Sequence, residues 1–218
     1  MIVAAGLTAG CSTRASIQGG AEGAEATADS STRVESARAR HDSTVRMRPG
    51  YVVDSILPVD VEIRRFQATL GEQPAGLTGG AVSREALVRA FVRAIEQNDT
   101  SALAGLVVDR REFGFLVYPD SPNAMPPYRQ SPSIVWLTRS AGTEKSAGRL
   151  LERFAGRSMA YAGFTCPTDA AVQGANTIWS NCVVNRLGAA GDTTRVRLFG
   201  AIMERGGRYK FLSLAGGL

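Results

Sequence analysis

The spacing of apolar residues changes once along the chain, and this change limits the folds that the sequence can adopt. Between residues 56 and 107, apolar residues recur every three or four positions, which is the period of an amphipathic helix. Beyond residue 158, runs rich in Val, Ile, Phe and Tyr alternate with Gly and Asn, which is typical of strands and turns. Helices followed by consecutive antiparallel strands predict an α+β fold.

Three helices are predicted before residue 110, each with a candidate N-cap. Asp54 or Ser55 could cap the first helix, Ser83 the second, and Thr100 or Ser101 the short third. A fourth helix is predicted in "TEKSAGRLLERFAG", residues 143–156. The apolar residues expected to face the core are Ile56, Val59, Ile63, Phe66, Leu70, Leu87, Val88, Phe91, Ile95, Leu103, Leu106 and Val107.

The last third of the chain predicts four strand segments. They are "SMAYAGFTC", "NTIWSNCVVNRL", "TTRVRLFGAIME" and "RYKFLSLAG". "RGGR" at 205–208 predicts a two-residue hairpin turn, because paired glycines allow the positive φ values that such a turn needs. The longer "GAAGD" connects the two preceding segments.

The helix pair before residue 110 carries a family resemblance. "REALVRAFVRAIEQNDTSALAGLV" is an amphipathic helix, a polar "QND" break and a short second helix. Together with the late strands, it resembles the nuclear transport factor 2-like superfamily, which includes SnoaL-like proteins and ketosteroid isomerase. The resemblance covers about residues 83–214 and implies a curved, cone-like sheet around a long helix, with an apolar pocket. The proline-rich segment 113–136 and the helix before Leu70 depart from the family pattern.

The N-terminus has the form of a processing site. The apolar run "MIVAAGLTAG" ends in small residues and is followed by Cys11. "LTAGC" resembles the lipobox of bacterial lipoproteins, which implies a lipid on Cys11 and a place in the bacterial cell envelope, periplasmic or surface-facing. The alternative is an ordinary thiol in a frayed terminus. Residues 12–50 contain few large apolar side chains and predict a disordered tether.

Two further cysteines remain when Cys11 is the anchor. Cys166 and Cys182 flank a segment with Pro167 and Gly174, and a hairpin there would bring the two thiols within bridging range. The envelope lies outside the reducing cytosol, so a disulfide would persist. Two buried thiols are the alternative, whereas a metal site is disfavoured because no histidine is near.

The sequence excludes several common functions. The only histidine, His41, lies in the predicted tether, which excludes Ser-His-Asp, Cys-His and histidine-based metal sites. Phosphate-binding loops and dinucleotide fingerprints are missing, so we expect no cofactor and no metal. The net charge is +5, but the basic residues are scattered and almost all Arg, so we expect no nucleic-acid partner.

Carboxylates remain as candidate catalysts. The resemblance to the isomerase implies a pocket acid that moves protons, with a tyrosine or a protonated acid holding an oxyanion. For each acid a structural role is also open: a place beside the cap of a helix for Asp99, a solvated face with the neighbouring arginines for Asp109 and Glu112, and a turn for Asp120. The candidates are Asp99, Asp109, Glu112, Asp120, Tyr118, Tyr128 and Tyr161.

The segment 113–136 is the favoured binding element. It holds five of the nine prolines, and its aromatic side chains could cover a pocket or dock a partner. The alternative is a stiff connection whose aromatic residues enter the core. The candidate binding residues, including one on a later strand, are Phe113, Phe115, Tyr118, Tyr128, Trp136 and Trp179.

The predicted organisation is a signal and lipobox segment (1–11), a tether (12–50), a helix with linker (51–80) and an α+β domain (81–218). We expect a non-enzymatic, membrane-anchored domain that binds a small apolar ligand or an envelope protein. The alternatives are an isomerase- or lyase-like enzyme with a pocket carboxylate and a structural envelope protein.

Overall fold

The chain divides into two units, Met1–Ile56 and Leu57–Leu218. A computed structural model describes residues 32–41, 43–44, 47–48, 57–188 and 190–214. In the first unit residues 32–41 are helical and every described residue is exposed, whereas the sequence predicts no regular structure there. Ala, Arg and Glu in this stretch are good helix formers, which accounts for the difference. The predicted lipobox with Cys11 lies outside the described residues.

The second unit begins with helices, and the predicted α+β class is confirmed. Between its fourth and fifth helices lie a π-helical turn, Phe113–Val117, and two 3₁₀ turns, Tyr118–Asp120 and Pro122–Ala124. The helices are α1 (Val59–Ala68), α2 (Arg84–Glu96), α3 (Thr100–Gly105), α4 (Arg110–Glu112) and α5 (Pro132–Phe154).

The N-caps agree only in part with prediction. The Ser83 hydroxyl accepts a hydrogen bond from the N–H of Ala86, as predicted for α2. Asp99 caps α3 instead of Thr100 or Ser101, because its carboxylate accepts a hydrogen bond from a backbone N–H of the first turn. Pro58 occupies the N-cap of α1, and the predicted caps of that helix lie outside the described residues.

Helix α5 begins eleven residues before the predicted start at Thr143. Ser131 occupies its N-cap position and Pro132 its first helical position, where proline lacks only an N–H that would have no helical partner. The second half of the proline-rich segment is therefore helical, and Trp136 lies on α5.

Seven antiparallel strands form two sheets, and the described strands do not close into a barrel. The first sheet has the order β1–β4–β5 and the second the order β2–β3–β6–β7. The predicted single curved sheet is therefore divided. The strands are β1 (Tyr161–Thr165), β2 (Ala171–Gln173), β3 (Asn176–Ser180), β4 (Val183–Leu187), β5 (Thr193–Val196), β6 (Ala201–Arg205) and β7 (Arg208–Phe211).

The chain crosses between the sheets where the sequence looks like continuous strand. The predicted segment 176–187 is split into β3 and β4 at Asn181, whose φ is positive. The segment 193–204 is split into β5 and β6. The β6–β7 turn is confirmed, because Gly206 and Gly207 both have positive φ.

The predicted disulfide between Cys166 and Cys182 is present. Strands β1 and β4 pair antiparallel with Thr165 opposite Val183, so the next residues along each strand are the two cysteines. The hairpin β2–β3 lies between them in sequence but belongs to the other sheet. The disulfide therefore joins the two points where the chain leaves the first sheet and returns to it.

The second sheet is buried on both faces. Ile202 on β6 belongs to a core cluster with Leu87, Phe91 and Ile95 of α2. The next residue, Met203, belongs to a different cluster that includes Phe113 and Tyr118. Because successive strand residues point to opposite faces, α2 covers one face and the segment after α4 covers the other.

Candidate functional site

A cleft of about 350 Å³ lies between α3 and α5. The residues from α5 are three or four positions apart, so they lie on one face of that helix. The residues around α3 have the same spacing, and the floor comes from the chain after α3 and after β7. The α5 face comprises Trp136, Arg139, Ser140, Thr143, Glu144, Ala147 and Leu151, and the opposite side and floor comprise Thr100, Leu103, Ala104, Val107, Val108, Asp109, Arg110, Leu212 and Leu214.

The cleft is apolar inside and opens to solvent on one side. Leu103, Leu212 and Leu214 are buried, whereas Thr100 and Ala104 at its edge are exposed. Its volume lies near the lower end of the range, roughly 300–1000 Å³, that small-molecule sites occupy. An apolar recess with a few polar groups at its rim is the usual form of such a site.

Backbone hydrogen bonds hold the floor of the cleft. The N–H of Val108 donates to the Phe211 carbonyl at 2.9 Å, and the N–H of Phe211 donates to the Leu106 carbonyl at 2.8 Å. The N–H of Leu214 donates to the Thr143 hydroxyl at 3.3 Å, which ties the end of the sheet to α5. The cleft is therefore anchored to the second sheet.

Arg139 is the charged residue of the cleft that is largely withdrawn from solvent. Its guanidinium carbon lies 5.2 Å from the ring centroid of Phe113. Burial lowers the pKa of the Arg139 guanidinium from its ordinary value, because the charged form loses hydration. Arg139 also lines a second cavity, of about 630 Å³, on the other side of α5.

Glu112 lies outside the cleft, in a buried ion pair. Its side chain is 0% exposed, and both carboxylate oxygens accept hydrogen bonds from the Lys210 ammonium, at 3.0 and 2.8 Å. The backbone N–H and hydroxyl of Thr78 donate to Oε1, and the N–H of Asp109 donates to Oε2. The predicted solvated face with the neighbouring arginines is therefore wrong for Glu112.

The other candidate acids have structural roles. Asp99 caps α3, and Asp109 caps α4, where its carboxylate accepts a hydrogen bond from the N–H of Glu112 at 2.8 Å. Asp120 is exposed and lies against Gly174, where an added Cβ would clash with its carboxylate. Of these acids only Asp109 lines the cleft, and it is exposed at the rim.

Two of the candidate aromatic residues belong to the core. Phe113 and Tyr118 are fully buried, with ring centroids 5.6 Å apart. The Tyr118 hydroxyl donates a short hydrogen bond to the Gln130 carbonyl. Burial, with a smaller contribution from the charge of Glu62, raises the pKa of Tyr118. These two side chains fill the space between the sheet and α5 and have no surface for a ligand.

The remaining aromatic candidates are dispersed. Trp136 lines the cleft and its ring lies 5.3 Å from that of Phe113, whereas Phe115 is half-buried away from the cleft. Tyr128 is 63% exposed. The Trp179 ring stacks on that of Tyr209 on the second sheet. The structure therefore brings only Trp136 of this set to the cleft.

Tyr161 lies on β1, away from the cleft, beside a charged pair on α2. Its hydroxyl donates a long hydrogen bond, 3.5 Å, to Glu85, and the Arg89 guanidinium lies 5.5 Å from its ring. Burial, followed by the Glu85 carboxylate, raises the pKa of Tyr161, while Arg89 lowers it by a smaller amount. A phenol in this setting stays protonated at neutral pH.

Sequence reasoning missed the cleft because it missed the first half of α5. The pair Ser131–Pro132 is a helix-start signal, and the residues at 136, 139, 140, 143, 147 and 151 follow a helical period. The high proline content before residue 132 obscured both signals.

The chain was compared with protein families, curated proteins and solved structures, and none of these comparisons finds a match. Among the described residues, no group of three or more His, Cys, Asp or Glu side chains could hold a metal ion. Of the helices in that same part of the chain, none is long and apolar enough to cross a bilayer.

Proposed function

We propose that residues 57–214 form a non-enzymatic binding domain for a small apolar ligand, which the cleft between α3 and α5 holds. The apolar lining of this cleft is the observation that carries the proposal. Each methylene that a ligand buries there contributes about 0.8 kcal/mol. Burial of a ligand of roughly eight to twelve carbons would release enough free energy to offset the loss of translational freedom on binding.

The arrangement of the acids favours binding over catalysis. Glu112 has all of its acceptor positions engaged by the Lys210 ammonium and backbone groups, and Asp99 and Asp109 are engaged as helix caps. A general acid or base must reach the reacting atom, and the two carboxylates that line the cleft, Asp109 and Glu144, are exposed to solvent. The isomerase- or lyase-like alternative therefore has less support. The resemblance to the nuclear transport factor 2-like superfamily stays a prediction.

We further propose that the chain is lipid-anchored through Cys11 in a bacterial envelope. The Cys166–Cys182 disulfide supports this location, since disulfides persist in oxidising compartments. An envelope protein remains the second candidate partner. The observation in its favour is a group of exposed apolar side chains close together in sequence, Met125, Tyr128, Ile134 and Leu137.

The binding proposal can be tested by filling the cleft. Ala104 is exposed on α3 and lines the cleft, so A104W would place an indole in it without displacing a buried side chain. Ala102 is exposed on the same helix but does not line the cleft, so A102W is the matched control. Titration with N-phenyl-1-naphthylamine, an apolar fluorescent probe, would report occupancy.

We expect the wild type and A102W to bind the probe with similar affinity and A104W to bind at least tenfold more weakly. Thermal unfolding of each variant would show that the fold is kept. Equal binding by A104W and the wild type, or no binding by any of them, would contradict the proposal.

A further inference from the structure

The Arg139 guanidinium has a buried nitrogen without a hydrogen-bond partner, which distinguishes it from the other basic groups of the described fold. Lys210 pairs with Glu112. Arg186 donates to the Met159 carbonyl at 2.6 Å, and Arg205 donates to the Asn176 side chain at 3.1 Å. Nη1 of Arg139 is buried and has no hydrogen-bond partner.

The fold compensates this charge only in part. The face of the Phe113 ring, 5.2 Å from the Arg139 guanidinium carbon, gives a cation–π contact. That contact contributes less stabilising free energy than the guanidinium loses when burial removes its hydration. A charged group that is kept in a cleft without a protein partner is a common feature of ligand sites, where the partner is the ligand.

The position of Arg139 on α5 places it on the same helical face as hydroxyl groups. Ser140 and Thr143 lie on this face and line the cleft beside it, while Leu103 and Leu151 supply apolar surface farther along. A ligand along the cleft would thus contact a cationic and polar end and an apolar end. This arrangement matches an amphiphile with one anionic head and one hydrocarbon chain.

We propose that the cleft selects single-chain carboxylates, an inference that rests on the proposed function. The Arg139 guanidinium binds the carboxylate, and the apolar lining holds the hydrocarbon chain. The planar guanidinium presents two parallel N–H donors, a geometry that a carboxylate accepts well.

The other charged residues of the cleft lie at its rim. Asp109, Arg110 and Glu144 line the cleft but are exposed, so water and salt screen them. Asp109 and Arg110 are adjacent and opposite in charge, and Asp109 is engaged as the cap of α4. In the described part of the cleft the inner charge is therefore the cation of Arg139.

The test compares two probes that differ only in the head group. Decanoate and 1-decanol would be titrated by calorimetry at pH 8, where the carboxylate is ionised. We expect the wild type to bind decanoate roughly 10- to 100-fold more tightly than decanol, which is the range of a hydrogen bond to a charged group. In R139Q the affinity for decanoate should fall more than the affinity for decanol, so that the preference for decanoate disappears.

Two control variants separate charge from position. R149Q removes a positive charge from an exposed site on the same helix and should keep the preference. R139K keeps the charge but loses the planar pair of donors, so we expect a smaller preference than in the wild type. Circular dichroism would show that each variant is folded. If R139Q does not fold, the ratio of the wild-type affinities for decanoate and decanol decides the question.

Different outcomes contradict the inference and the proposed function. Equal wild-type affinity for the two probes, or a decanoate preference that R139Q retains, would overturn the role of Arg139 and leave the apolar cleft intact. Failure of both probes to bind, or equal binding of both by A104W and the wild type, would overturn the proposed function itself. Decanoate binding that A104W leaves at the wild-type affinity, while decanol binding is weakened, would assign the head group to the second cavity beside Arg139 and refute the inference.

Discussion

Replacing Lys210 by methionine would remove the cation that Glu112 binds in the core. Lys210 is 3% exposed and Glu112 is 0% exposed, so water cannot take the place of the missing ammonium. Methionine fills much of the lysine stem, which limits the cavity that the change creates. The lost stability should therefore report the unpaired carboxylate.

The magnitude follows from the contacts that remain. Removing one partner of a buried ion pair costs about 3–5 kcal/mol. Glu112 would keep three donors, the N–H and hydroxyl of Thr78 and the N–H of Asp109, so we expect a loss near the lower end, about 3 kcal/mol. For a domain of this size such a loss lowers Tm by roughly 6–12 °C.

Urea unfolding monitored by circular dichroism would measure the loss. K145M, at the chain's other lysine, is exposed on α5 and serves as the control, with an expected change within about 0.5 kcal/mol. The double variant K210M/E112Q should lose less free energy of unfolding than the two single variants together, by about 1–3 kcal/mol. A loss below about 1 kcal/mol for K210M, or additive losses in the double variant, would refute the reasoning.

Three further changes test other parts of the fold. Replacing Cys166 and Cys182 together by alanine should lower stability by about 3 kcal/mol and make Tm insensitive to reductant. G80A should lower the free energy of unfolding by about 1–3 kcal/mol, measured by urea unfolding, since the φ of Gly80 is +69° and a Cβ would lie 2.5 Å from a carbonyl oxygen of β7. G76A is the control: a Cβ at Gly76 would lie in open space, so its stability should be nearly unchanged. R139M should unfold at the same or a higher temperature than the ligand-free wild type, because it removes a buried charge that has no ion-pair partner in the described chain; a loss above 1 kcal/mol would contradict this.

Local patterns predicted the parts of the fold that local interactions decide. The apolar stripe of α2 and its Ser83 cap follow from residues within two turns of one another. The β6–β7 turn follows from Gly206 and Gly207, since few other residues adopt two successive positive φ values. The disulfide was predictable because two cysteines flanked a hairpin pattern.

The remaining features depend on contacts that are distant in sequence. The break at Asn181 lies between strand-like residues, and it arises because β3 pairs in one sheet and β4 in the other. Glu112 and Lys210 are 98 positions apart, and the arginines beside Glu112 suggested a solvated face. The environment of Arg139 arises only when α5 packs beside α3 and the end of β7. No local spacing encodes these contacts.

The most direct test of the cleft as a ligand site is a crystal structure of the protein grown with decanoate. We expect the hydrocarbon chain between α3 and α5, in contact with Leu103 and Leu151, and the carboxylate within hydrogen-bonding distance of the Arg139 guanidinium. An empty cleft with Arg139 paired to a carboxylate of the protein, or decanoate bound elsewhere on the molecule, would contradict the account.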